Sequence, residues 1–157
     1  EGEGLYRRSL YTFWKRTGPA PVMMAFDASK RDVCVVKRER TSSPLQAIVL
    51  LNDPQFVEAA NHLAQRLQRQ HGDQVERVIN DMFRLLTSRK ADDAEFKVLL
   101  KLYNDQHAYF EANSEQAKAL LETGEATIDE TLPQTPIAAL AVVASALLNY
   151  DECVMKR

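Results

Sequence analysis

Glycine is scarce in this chain. There are five in 157 residues, too few for a glycine-rich loop that cradles phosphate, and no G-x-S-x-G elbow occurs. P-loop, Rossmann and hydrolase-elbow readings are therefore excluded. The two cysteines, Cys34 and Cys153, lie in no C-x-x-C or C-x-x-C-H motif, so the sequence encodes no zinc ribbon, thioredoxin site or haem attachment. The three histidines, His62, His71 and His107, form no H-E-x-x-H, and none lies four residues from another His or Cys. Isolated ligands do not make a metal site, so none is expected. Long apolar runs are also missing. The longest, Ile137–Leu148, falls short of the roughly 20 residues that cross a bilayer. There is no signal peptide. An opening Glu1-Gly2-Glu3-Gly4 without an initiator Met reads as a piece of a longer protein, so a missing leader says nothing of where the parent goes.

What is present fits one domain. The 45% hydrophobic and 27% charged content is ordinary for a globular chain able to bury a core. The net charge of -2 gives no global reason to expect nucleic acid. The charge is uneven, however: residues 1–40 hold nine Lys/Arg against five Asp/Glu. Such asymmetry can steer partners without identifying one.

Helical signals recur along the chain. Tyr6, Leu10, Phe13 and Trp14 predict a helix over Leu5–Arg16, ended by Gly18-Pro19. Pro19-Ala20-Pro21 then imposes extended backbone, and Val22–Arg40 has no helical period. Val33–Val36 reads as a short strand or an extended crossing segment. Ser43 with Pro44 opens a helix to Leu51, and Asp53-Pro54 opens another to about Gln70, stopped by Gly72. Asp73 with Glu76, Asp92 with Glu95 and Asn113 with Gln116 each predict a further start. The first of these helices has Val75, Val78, Ile79, Met82, Phe83 and Leu86 on one face. The next aligns Phe96, Leu99, Leu100, Tyr103 and Phe110. Gly124 closes the short helix after Asn113, and residues 125–134 read as an acidic loop. Thr135-Pro136 opens a last helix whose Ile137, Leu140, Val142, Val143, Leu147 and Leu148 leave no polar face, which predicts a buried central helix. The expectation is an all-α fold: one domain over 1–157, an irregular bundle of six or seven short helices with an extended, basic N-terminal crossing segment.

The basic stretch is the sharpest feature. Arg7, Arg8, Lys15, Arg16, Lys30, Arg31, Lys37, Arg38 and Arg40 are interleaved with Tyr6, Tyr11, Phe13 and Trp14. Stacking on single-stranded nucleic acid is one reading. Mixed signs at Arg31-Asp32 and Arg38-Glu39-Arg40 favour another, in which Arg forks pin an irregular segment onto acidic helix ends. A third is an anionic ligand such as an acidic glycan, held by Asp27, Arg31, Arg38 and Arg40. Asp151-Glu152 would oppose the dipole of the last helix, which predicts pairing with this basic stretch. Cys34 and Cys153 can bridge in an oxidising compartment; two buried free thiols are the alternative.

Gly4-Leu-Tyr-Arg-Arg-Ser-Leu-Tyr-Thr-Phe-Trp-Lys-Arg-Thr17, Phe26-Asp27-Ala28, Arg31-Asp-Val-Cys34, Arg38-Glu-Arg-Thr41, Pro44-Leu-Gln-Ala-Ile48 and Leu50-Leu-Asn-Asp-Pro54 occur in order. Together with Leu147-Leu-Asn-Tyr-Asp-Glu152, they resemble the C-terminal (PSD-type) domain of unknown function of planctomycete-type proteins that also carry a cytochrome-c-like domain. The resemblance covers nearly the whole chain. It implies an extracytoplasmic, multidomain parent, with any haem in an upstream domain and no cofactor here. It also implies that the chain starts partway through the family domain, so other domains of the parent are the implied partners. No catalytic residue carries over. The resulting expectation is a non-catalytic helical structural or interaction module. Half of an anionic-ligand or enzyme site, completed by the upstream region, is the alternative, and single-strand nucleic-acid binding is the second alternative.

Overall fold

Proline marks where several helices begin, because its fixed φ suits a first helical position that needs no N–H partner. In the computed structural model Pro21, Pro44 and Pro54 are the first residues of α1 (Pro21–Ala25), α2 (Pro44–Asn52) and α3 (Pro54–His71). The structure describes all residues except 1, 3, 5–11, 16, 30–33, 35, 38–40, 126, 130 and 155–157. After α3 come α4 (Val75–Thr87), α5 (Asp93–Ala112), α6 (Ser114–Leu121), α7 (Gln134–Leu148) and α8 (Asp151–Val154). Among the described residues there is no strand, and the chain is all-α.

Two compact units divide the chain, Glu1–Val49 and Leu50–Arg157. The second is built around α7, which packs against α3, α4, α5, α6 and α8. Eight of its residues are buried, from Ile137 to Leu147, and four of the eight are alanines. Small side chains let neighbouring helices approach closely while excluding water. The predicted stripe of α4 is buried at Val78, Ile79, Met82 and Phe83, and that of α5 at Leu99, Tyr103 and Phe110. Val75, Leu86, Phe96 and Leu100 pack against the same core while partly exposed.

Capping fixes several helix ends. Asp92 and Glu95 form a reciprocal capping box, the Asp92 carboxylate accepting from the Glu95 N–H and the Glu95 carboxylate from the Asp92 N–H. The Asp53 carboxylate accepts from the Gln55 N–H at 2.9 Å. Ser43 Oγ accepts from the Gln46 N–H, and Gln46 Oε1 accepts from the Ser43 N–H, both at 3.3 Å.

Other expectations are corrected. Thr12–Lys15 is not helical; the rest of the predicted first helix lies outside the described residues. Thr, Phe and Trp are mediocre helix formers, and Phe13, on the predicted apolar face, is 84% exposed. An unpredicted single turn, α1, follows Pro21. Cys34 and Val36 are in no strand; Val33 and Val35 lie outside the described residues. Asp73 does not cap α4. The backbone turns once more there, the Val75 N–H reaching the Asp73 carbonyl at 3.0 Å, and Gln74 becomes the N-cap without a side-chain bond. Asn113 likewise gives α6 no side-chain cap, because its Nδ2 donates back to the Tyr109 carbonyl at 2.8 Å. Asp151 and Glu152 do not prolong α7 but open α8, where acidic groups suit the helix dipole.

Candidate functional site

Asp27 is the one residue of the predicted ligand set that lies among the described residues. It follows α1 with φ +53, a left-handed conformation that Asp tolerates better than most residues. Its Oδ2 accepts from the Thr41 N–H at 2.7 Å and from the Thr41 hydroxyl at 2.8 Å. Gln46 Nε2 approaches the same oxygen at 3.5 Å and donates to the Ala25 carbonyl at 2.7 Å and to Thr41 Oγ1 at 3.1 Å. Gln46 itself is buried. Asp27, Thr41 and Gln46 therefore form a hydrogen-bonded knot that ties the end of α1 to the start of α2. Arg31, Arg38 and Arg40 lie outside the described residues. Cys34 is exposed and Cys153 half-buried, both as free thiols, and burial pushes the Cys153 thiol pKa up.

Among the described residues the densest charged cluster is in the unit Leu50–Arg157. Arg89, between α4 and α5, grips Glu95 with both terminal nitrogens, at 2.8 and 2.6 Å. Its Nε donates to Glu152 Oε2 at 2.7 Å. The guanidinium lies 4.9 Å from the centroid of the Phe83 ring, and the Tyr150 hydroxyl donates to Glu95 Oε1 at 2.9 Å. Hydrogen bonds from Arg89, with help from the Asp92 amide, lower the Glu95 pKa to about 2. The bond to Glu95 is also the main cause of the raised Tyr150 pKa. At neutral pH this is an ionised carboxylate locked to a cation, a poor base and no acid. Glu152 thus finds a basic partner in Arg89; most basic residues of the N-terminal stretch, with which the sequence suggested pairing, lie outside the described residues. Arg89 escaped the sequence reading because it sits in a loop, outside any helical period. The Asp92–Glu95 box beside it was the available signal.

A second polar array runs along α3, where Glu58, Asn61, Gln65 and Gln68 are all buried. Glu58, Asn61 and Gln65 bond to the end of α6 and the chain that follows it. Glu58 Oε2 accepts from the Glu125 N–H at 3.0 Å, Asn61 Nδ2 donates to the Leu120 and Leu121 carbonyls at 3.0 and 3.4 Å, and Gln65 Oε1 accepts from the Asp129 N–H at 3.2 Å. Arg69 adds an ion pair to Asp129 at 2.7 Å. Bonds from Thr131, then from Arg69, lower the Asp129 pKa. These residues replace the hydrogen-bond ladder that an irregular segment lacks.

The histidines are dispersed. His62 is exposed, His107 stacks obliquely on Tyr103 with ring centroids 5.7 Å apart, and His71 Nε2 lies 2.7 Å from Asp81 Oδ2. That approach does not make a hydrogen bond. Among the described residues no three His, Cys, Asp or Glu side chains gather where a metal ion could be held. No helix among them is long and apolar enough to cross a membrane.

Residues 1–103 match the family model PSD1, protein of unknown function (DUF1553). No curated protein and no solved structure matches the chain.

Proposed function

We propose, for a chain that belongs to the PSD1 family of proteins of unknown function (DUF1553), a non-catalytic role as a helical structural and interaction module. The observation that carries this reading is how Arg89 is engaged: its guanidinium holds two carboxylates and covers an aromatic ring, joining three parts of one unit. Asp27 is engaged in the same way, on Thr41 and Gln46. Charged side chains committed to holding helix ends support a scaffold.

Three finer elements of the proposal rest on the motif resemblance alone. The parent is an exported, multidomain protein of planctomycete type. Its haem, where it has one, sits in a separate cytochrome-c-like domain. This module contacts other domains of the same parent.

The test is reconstitution. The chain is mixed with separately produced upstream segments of its parent, and association is followed by calorimetry. Saturable association weakened by Leu85→Asp or Val98→Asp, at two exposed apolar positions, supports a module that binds through its surface. Binding of an acidic glycan that needs the upstream segment and vanishes in Arg38→Ala would replace this reading with a ligand site at Asp27, Arg31, Arg38 and Arg40. Salt-sensitive binding of an oligonucleotide would replace it with nucleic-acid binding.

A further inference from the structure

One groove in the unit Leu50–Arg157 is left open by the helix packing. It lies among α3, α5, α6 and α7 and holds about 280 Å³. Ala60 and Ala141 form its floor, 1% and 3% exposed, while Leu51, Val57, Leu102 and Leu120 line it at higher exposure. Alanine at the floor leaves the space that a larger side chain would fill.

Two polar groups interrupt this apolar lining. The first is Ser145, whose hydroxyl has no hydrogen-bond partner among the described residues. The second is Asn61, 2% exposed. Its Nδ2 is committed to the Leu120 and Leu121 carbonyls at the end of α6. That fixes the amide and turns Oδ1 away from α6, and no donor reaches this buried oxygen. An unpaired buried acceptor is costly, about 1–3 kcal/mol in typical cases, and most such groups in native proteins have a partner.

We propose that this groove binds a small apolar molecule carrying a single hydroxyl, of phenol to naphthol size. Its volume lies between the ~150 Å³ cavity that accepts benzene and the ~300 Å³ at which drug-sized pockets begin. The apolar body fills the space over Ala60 and Ala141. The hydroxyl donates to Asn61 Oδ1 and accepts from Ser145. Because Oδ1 is buried, its engagement needs an outward shift of a rim side chain, which the partly exposed Val57 and Leu102 can make. This site is separate from the surface contacts of the proposed module, and either can fail without the other.

The probes are 2-naphthol, 2-methoxynaphthalene and naphthalene, titrated into the full chain and followed by amide NMR shifts. 2-Naphthol is expected to bind saturably, with shifts at Ala60, Asn61 and Ser145. It should bind about tenfold more tightly than 2-methoxynaphthalene, which has the size but no donor. Ala146→Leu, at the groove's edge, should abolish binding. If that variant does not fold, Ser145→Ala, which preserves packing, should reduce the naphthol preference several-fold. Three probes of equal affinity, no saturation at millimolar concentration, or binding that survives a folded Ala146→Leu would each overturn the proposal.

Discussion

Arg89 and Glu152 stand 63 positions apart in sequence, yet Arg89 Nε lies 2.7 Å from Glu152 Oε2. The same guanidinium is bidentate on Glu95, so one side chain fastens α8 to the start of α5. This geometry needs a planar fork, which lysine lacks. Arg89→Lys should therefore lower the melting temperature measurably, and Arg89→Met, which keeps only the stem over Phe83, should lower it further. A Lys variant as stable as the parent in thermal melts would show that charge alone, without the fork, holds the cluster.

The same cluster predicts an acid limb to stability. The Glu95 pKa falls from an ordinary 4.5 to about 2 in the folded chain, chiefly through Arg89. A lowered folded-state pKa means that the stabilisation is fully present above the unfolded value. It is then lost as pH falls through the folded one. Glu95 should thus withdraw its contribution between about pH 4.5 and about pH 2. Denaturant titrations across that window should show a shallower pH dependence for Glu95→Gln than for the parent. Asp129, also lowered, keeps part of the slope in that variant. An unchanged slope in Glu95→Gln would mean that the carboxylate is not the group being titrated.

What was legible in the sequence was periodic or local. The buried α7 could be read because Ile137–Leu148 has no polar face, and the α5 start because Asp92 and Glu95 are three residues apart and cap each other. Asp73 with Glu76 has the same spacing and failed, since an extra backbone turn moved the start of α4 past Asp73. Asn113 failed because its amide found an earlier carbonyl, at Tyr109. Spacing alone cannot decide between such competing local bonds. The Arg89 cluster and the polar array on α3 were out of reach for a different reason. Apart from Arg89 and Glu95, which are six residues apart, their partners are 55 to 67 residues apart in sequence, and no periodicity reports such pairs. Of the predicted ligand set, Asp27 alone lies among the described residues, where it is hydrogen-bonded to Thr41 and Gln46.

Gly124 is where the α3 array leaves no room. Its φ is +111, and a Cβ built there would lie 2.2 Å from Glu58 Oε2. Gly124→Ala should be destabilising by about 1–3 kcal/mol, from backbone strain together with displacement of Glu58. Adding Glu58→Ala removes the clash but not the strained φ. The double variant should therefore be more stable than the sum of the two single losses predicts. Strict additivity in chemical denaturation would argue that Glu58 and Gly124 do not meet in solution.

Asp27 combines two effects that substitution can separate. One is its left-handed backbone, φ +53, which costs an ordinary residue roughly 1–2 kcal/mol. The other is its carboxylate, which accepts both the N–H and the hydroxyl of Thr41. Asp27→Asn keeps tolerance of that backbone and one acceptor oxygen, so its loss should be small. Asp27→Gly removes the hydrogen bonds but relaxes the backbone. Asp27→Ala removes the bonds and raises the conformational cost, so it should be the worst of the three. Its loss should exceed that of Gly by about 1 kcal/mol. Hydrogen exchange at the Thr41 amide gives an independent readout: exchange should speed up in both Gly and Ala and stay slow in Asn. If the Thr41 amide stays protected in Asp27→Ala, the knot is held by Gln46 and its contacts instead. If Gly and Ala cost the same, the left-handed turn after α1 carries no strain.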